Sequence, residues 1–430
     1  MVFGAVAILA LSGCSSSQGS TPVASGVLDT TFGSGGKVTT DLGSAADRAH
    51  AIAVQSDGKI VVAGSTQDPA QGDNFAVVRY SAEGVLDTTF GDGGKAVTDF
   101  GGKSDVVHAV AVQSDGKIVA VGTSTGATAG DDFAVARYTS DGKLDASFGT
   151  GGKVVTDLGT DADHANAVAL QTDGAIVVAG SMHDAVQGDN FAVVRYTADG
   201  KQDMAFGDGG KTVTDFDGQA DVANAVAVQT DGRILAVGTS AGTTSGDDFA
   251  IARYTSDGKL DATFGAGGKV VSDLGTTADR ANAVALQQDG KFVVAGSTHD
   301  PVQGDNFAVV RYASDGKLDS AFGDNGKTVT DFGGKADIAQ AVVLQSGGRI
   351  VAVGTSHGTQ TGDNIALARY TADGKLDPSF GTGGTVSTDL GTQADHGNAA
   401  AVQADGKILV AGTTTDPAQG DNFALVRYAA

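Results

Sequence analysis

Asp57-Gly-Lys-Ile-Val-Val-Ala-Gly-Ser-Thr66, leading through a loop to Asp73-Asn-Phe-Ala-Val-Val-Arg-Tyr80, decides the fold of this 430-residue chain. Near-copies of it recur without insertion. The closing Arg-Tyr pair returns at Tyr138, Tyr196, Tyr254, Tyr312, Tyr370 and Tyr428, 58 residues apart each time. The Phe-Gly pair keeps the same interval, from Phe32 through Phe90, Phe148, Phe206, Phe264 and Phe322 to Phe380. A fixed long period replaces the two or three domains suggested by length with one array whose units bury their faces against neighbours.

Each unit holds four β-type runs. In the first, Ala49–Gln55 (strand A) alternates small and larger apolar residues, and Ser56-Asp57-Gly58 supplies a tight turn that tolerates positive φ. Lys59–Ser65 (B) returns, Asn74–Tyr80 (C) follows a polar loop, and Lys37–Asp41 exemplifies the short, β-branched fourth strand (D). Glycine is frequent at 65 residues and proline scarce at 5, as many short strands joined by turns require. No run keeps a helical period, so no helix is expected beyond the N-terminal segment.

Seven units of four antiparallel strands predict an all-β, seven-bladed β-propeller, since radial repetition leaves few exposed sheet edges. A linear solenoid is the competing arrangement, but it would show divergent polar end units, and none is seen. The chain opens on a D strand and closes on a C strand, so the N-terminal D is expected to complete the last blade. Residues 28–430 form this predicted domain.

The pattern Asp-Gly-Lys-Ile-Val-Val-Ala-Gly, then Asp-Phe-Ala-Val-Ala-Arg-Tyr, then Asp-Gly-Lys-Leu-Asp-x-x-Phe-Gly-x-Gly-Gly resembles the delta-60 repeat family in all seven units. The resemblance implies a bacterial, often surface-associated propeller and brings no catalytic residues to transfer. The Phe-Gly-x-x-Gly element alone is similar to NHL-type repeats. The period exceeds those of kelch and WD40 repeats, and the Trp-Asp signature is absent because the chain contains no Trp.

Ahead of the array, the apolar run Val2–Leu11 ends in Leu11-Ser12-Gly13-Cys14, a signal-peptide core too short to span a membrane. It resembles a bacterial lipobox, which implies cleavage after residue 13 and lipidation of Cys14, the only cysteine. By the same analogy Ser15 points to the outer membrane. No Lys or Arg precedes the apolar run, which places the expected translation start upstream of Met1. Residues 14–27 read as a Ser/Gly-rich tether.

The formal net charge is −23. In a propeller the D-to-A and B-to-C loops share one face, and the acidic columns of Asp41, Asp47 and Asp73 fall there in every unit. Nearly all the net charge is therefore expected on that face, which disfavours nucleic acid and anionic lipid and favours cations or basic proteins. The candidate binding carboxylates are Asp47, Asp105, Asp163, Asp221, Asp279, Asp337 and Asp395, with Asp73, Asp131, Asp189, Asp247, Asp305, Asp363 and Asp421. Calcium held by carboxylate and carbonyl oxygens is one form such binding takes, although no loop has EF-hand spacing. Against both stands the plainer role of Asp in bonding turns and keeping surfaces soluble.

His50, His108, Asn166, Asn224, Asn282, Gln340 and Asn398 share the position at the entry to strand A and are expected to rim the central channel. His164 and His396 form a second column; His183, His299 and His357 form a third. The metal question stays open, because equivalent residues of different blades meet only on the channel. The Arg79 column is expected to pair with a repeat Asp, and the Phe column to plug the space between blades.

No nucleophile elbow, dinucleotide fingerprint or phosphate loop is present. Units alternate in detail, Val62 and Val78 against Ala120 and Ala136, and an odd number of blades must break that alternation once. The break is expected at blade 7 and its seam with blade 1, where Ala400 and Thr385 also depart from the repeat. The preferred reading is a monomeric, exported, lipid-anchored binding or scaffold module. A propeller enzyme of lyase or dehydrogenase type with a site at the channel mouth is the alternative, and a passive cell-surface component the third reading.

Overall fold

The computed structural model describes residues 24–430 except 71, 102, 127–129, 160–161, 187, 218–219, 243–245, 276–277, 334–335 and 359–361. Cys14, the signal-like segment and the tether up to residue 23 lie outside the described residues. Seven four-stranded antiparallel sheets form, each in the order A–B–C–D. In blade 1 these are Asp47–Val54, Ile60–Asp68, Gly72–Tyr80 and Lys95–Thr98. Blade 7 takes Asp395–Val402, Ile408–Asp416 and Gly420–Tyr428 from the C-terminus and Lys37–Thr40 from the N-terminus. Lys37 pairs with Val426 and Thr40 with Phe423. The ring is closed, and the solenoid is excluded. Its hydrogen bonding reaches back to Ser25, whose carbonyl accepts the Gly381 N–H at 3.0 Å.

A strands of neighbouring blades touch one another, including those of blades 7 and 1, so seven A strands wall the axis. Each carries a bulge, between Ala49 and Ala51 in blade 1, which turns residue 50 inward. Gly64 on strand B makes room for it, since a Cβ there would lie 1.9 Å from the Arg48 carbonyl oxygen. The only helical turn among the described residues, Ser346–Gly348, sits where Gly347 replaces the usual turn Asp.

Apolar clusters fill the gaps between adjacent blades. At the base of the ring, Arg79 Nε pairs with Asp87 Oδ2 at 2.9 Å, while its Cζ stands 4.6 Å from the Phe90 ring centroid. Its Nη1 donates to the Ser140 carbonyl of the next unit. Phe90 is fully buried between blades 1 and 2. Arg427 repeats the latch at the seam with residues from the N-terminus, pairing with Asp29 at 2.9 Å above Phe32 at 4.6 Å. The expected irregularity of the seam therefore does not reach the backbone or the base. The buried Tyr80 hydroxyl bonds Thr40 Oγ1 of the preceding blade at 2.7 Å, tying blades 1 and 7 once more.

Candidate functional site: the acidic channel mouth

The structure separates two acidic columns that the sequence had grouped. Asp47, Asp105, Asp163, Asp221, Asp279, Asp337 and Asp395 are at most 1% exposed, which corrects their assignment to a docking surface. Each begins strand A facing inward, and Oδ2 accepts the backbone N–H of the residue five positions earlier. The bonds run from Leu42 to Asp47 at 2.6 Å, Leu274 to Asp279 at 2.7 Å and Leu390 to Asp395 at 2.6 Å. Where a Thr faces the other oxygen it donates as well, as from Thr298 to Asp279 Oδ1 at 2.6 Å. The Asp41 column does related work in an Asx turn, with Gly43 N–H on Asp41 Oδ1 at 2.6 Å. Both columns staple the D-to-A loop.

The Asp73 column is different. Asp73, Asp131, Asp189, Asp247, Asp305, Asp363 and Asp421 stand half-buried at the start of strand C. They lie against the first residues of the next blade's strand A, through bridges such as Asp131 to Ala162 and Asp421 to Ala46. Their partners vary from blade to blade. His183, His299 and His357, each near the end of strand B, place Nδ1 at 2.7, 2.7 and 2.6 Å from Asp189, Asp305 and Asp363. Arg48 and Arg280, from the next blade's strand A, reach Asp421 at 2.8 Å and Asp247 at 3.0 Å. His396 and His164 occupy that same strand-A position, 3.6 Å from Asp363 and 3.7 Å from Asp131.

Taken around the ring, that strand-A position reads Arg48, Val106, His164, Val222, Arg280, Ile338, His396. Basic and apolar residues alternate until the odd blade number sets His396 beside Arg48. The seam is therefore where side chains at the mouth break the pattern. A cavity of about 380 Å³ there is lined by both, with Asp363, Asp421 and His50. A second, of about 370 Å³ among blades 2 to 5, is lined by His164, Arg280, Asp189 and Asp247.

The column expected to rim the channel lies deeper, at the bulge of strand A. Asn166, Asn224, Asn282 and Asn398 donate Nδ2 to the carbonyls of Ala223, Ala281, Ala339 and Ala49 at 2.8–3.0 Å. His108 Nδ1 bonds the Ala165 carbonyl at 2.9 Å. Each side chain thus stitches its blade to the next, and Gln340 and His50 line the seam cavity. Burial pushes the His50 imidazole down to about 3, helped by His108 and Arg48, and pushes His108 down to about 4. Neither is charged near neutrality.

Two carboxylate trios escaped the sequence reading as groups. Asp132, Asp157 and Asp163 bring oxygens within 4.8 Å of one another, as do Asp248, Asp273 and Asp279. Burial, then Asp157 and Asp163, raise the pKa of Asp132. The available signal was the Asp at 132 and 248 in a column that is otherwise Asn. An oxygen-only set of this kind suits a hard divalent cation.

Several solved structures resemble the chain at low identity. A catalytically inactive virginiamycin B lyase from Staphylococcus aureus aligns over 91% of this chain and 98% of its own at 13% identity, TM-score 0.48. A protein of unknown function from Dyadobacter fermentans aligns over 92% and 99% at 13% identity, TM-score 0.43. A putative glucose dehydrogenase from Thermus thermophilus aligns over 91% and 100% at 14% identity, TM-score 0.41. Likeness at this level says nothing about chemistry. No curated protein matches the chain. A family model described as a domain of unknown function (DUF5122) beta-propeller matches residues 55–90, 113–148, 171–206, 229–264, 287–322, 345–380 and 403–430. With every blade represented, the chain belongs to the DUF5122 beta-propeller family.

Proposed function

We propose that this propeller is an exported binding module, anchored through lipidated Cys14 at the outer membrane, whose channel mouth receives a basic polypeptide segment. The observation that carries this reading is the Asp73 column. All seven units keep a half-buried carboxylate at the mouth, but the residues around it differ from blade to blade. An acid kept for its own blade would keep its partner too, as Asp87 keeps Arg79. Converging carboxylates within low-dielectric walls focus a negative field on the axis, attracting Lys and Arg and repelling nucleic acid. Binding rather than turnover fits a mouth whose acids come in seven copies, since catalysis needs unlike groups around one centre.

Anisotropy of a labelled nona-arginine peptide tests the reading. Saturable binding that weakens with salt and is lost in an Asp189→Asn/Asp247→Asn/Asp305→Asn variant is expected; binding indifferent to salt or to those changes would refute it. The anchor is tested separately, because Cys14→Ser should release the protein from the membrane fraction.

A further inference from the structure

We propose that the channel mouth is a pH-gated site: five histidines seated on the Asp73 column discharge it in mild acid and release the basic segment. The inference rests on the binding reading above. Of the seven histidines in the chain, five lie within 3.7 Å of a mouth carboxylate. Their side chains are 37–50% exposed, so solvent protons reach them. The other two, His50 and His108, are buried and held neutral at about 3 and about 4, and do not join the switch.

The charge balance follows from the residues that face the imidazoles. The strand-C ends contribute seven carboxylates. The strand-A position contributes Arg48 and Arg280, with Val106, Val222 and Ile338 uncharged, and the end of strand B adds neutral groups such as Thr125 and Thr415 together with four carboxylates, Asp68, Asp184, Asp300 and Asp416. Seven negative charges against two positive leave five, and five imidazolium ions cancel those. The four strand-B acids keep a residual negative charge beside the mouth, with Asp300 next to His299 and Asp184 next to His183. Imidazole is the side chain that changes charge between about pH 5 and 8, while the mouth carboxylates need not change for the field to weaken.

Asp363 sharpens the case, because it alone has an imidazole on either side, His357 at 2.6 Å and His396 at 3.6 Å. Protonating both converts a carboxylate of the seam cavity from an acceptor for a basic ligand into the centre of an internal triple.

Nona-arginine serves as probe because guanidinium keeps its charge throughout the range. Binding to the full chain is measured at fixed ionic strength at pH 7.5 and 5.5. Affinity should fall by about tenfold or more, the lower end of what field focusing provides. The variant His164→Val/His183→Thr/His299→Thr/His357→Thr/His396→Val uses residues that other units already carry in those columns. It should keep binding at pH 7.5 and lose the pH dependence. Binding at pH 7.5 that does not change at pH 5.5 overturns the switch and leaves the docking site intact; absence of binding at pH 7.5 overturns both. Should the fivefold variant fold poorly, single His357→Thr should still reduce the pH response, with the imidazole proton shifts of the wild type titrating in step with release.

Discussion

Asp247 and Arg253 stand at opposite ends of one strand, Gly246–Tyr254 of blade 4, and show two kinds of repetition. At the base, Arg253 pairs with Asp261 at 2.9 Å over Phe264, with both side chains at most 7% exposed. Every blade repeats that set, with Asp29 and Phe32 supplying the seam. At the mouth, Asp247 meets Arg280 at 3.0 Å with side chains 28% and 49% exposed, and no other blade except the seam uses Arg there. When both partners repeat, the pair is part of how blades lock together. An acid that repeats while its partners change belongs to the ring as a whole.

The largest expected effect tests this division directly. Arg253→Ala takes from Asp261 its buried guanidinium and leaves it Arg233 at 2.9 Å, removes the cation from the Phe264 ring and frees the Ser314 carbonyl it also serves. Breaking a buried pair costs about 3–5 kcal/mol when the charge left behind is uncompensated, and with Arg233 still on Asp261 the loss should fall at the lower end of that range. Arg280→Ala removes an ion pair at solvent and should cost about 1 kcal/mol or less. Urea midpoints of the two variants measure the contrast, and equal losses would abolish the distinction between base and mouth.

The fold was legible because the period is rigid: a constant interval, four β runs and complementary terminal strands admit little besides a closed ring. The site was only half legible. Asp47 and Asp73 are both Asp beside Gly-rich loops, and nothing in composition separates them. Their parity does, since Asp47 shares the inward phase of Ala49 on strand A. That signal is blurred by the bulge at residue 50, which puts a polar column among buried residues on the same strand. The pairing of His357 and His396 on Asp363 was out of reach, because these residues come from three different strands and two blades.

A smaller effect concerns acid. Burial opposes the charge of Asp145 at the base, but the Ser147 hydroxyl and N–H, Arg137 and Lys117 outweigh it and lower its pKa from 3.8 to about 2. Asp29, Asp87, Asp261, Asp319 and Asp377 are shifted the same way. A depressed carboxyl stabilises the fold above its unfolded value and loses that contribution as pH falls through the folded one. Asp145→Asn should therefore be less stable than wild type at pH 7, and the gap should close between pH 3.8 and about 2. A gap that persists at pH 2 would mean that packing, not charge, holds the base.

The smallest effect has the opposite sign. At Asp221 burial raises the pKa, the Phe216 N–H and Ser240 only partly offset it, and Asp215 adds to it. Asp105 and Asp337 are raised for the same reason. A carboxyl raised in the fold contributes its stability at low pH and loses it as pH climbs through the folded value. The negative charge of Asp221 therefore stands as a cost in the staple it forms. Asp221→Asn retains an oxygen for the Phe216 N–H and adds a donor toward Ser240, so it should gain up to about 1 kcal/mol at pH 7. In acid, where the wild-type carboxyl is itself neutral, that advantage should vanish. Chemical denaturation of this variant across pH 3 to 7 would show the gain growing with pH. A loss at neutrality instead would mean that the negative charge is needed to hold the loop, and that the buried column works by charge as the mouth does.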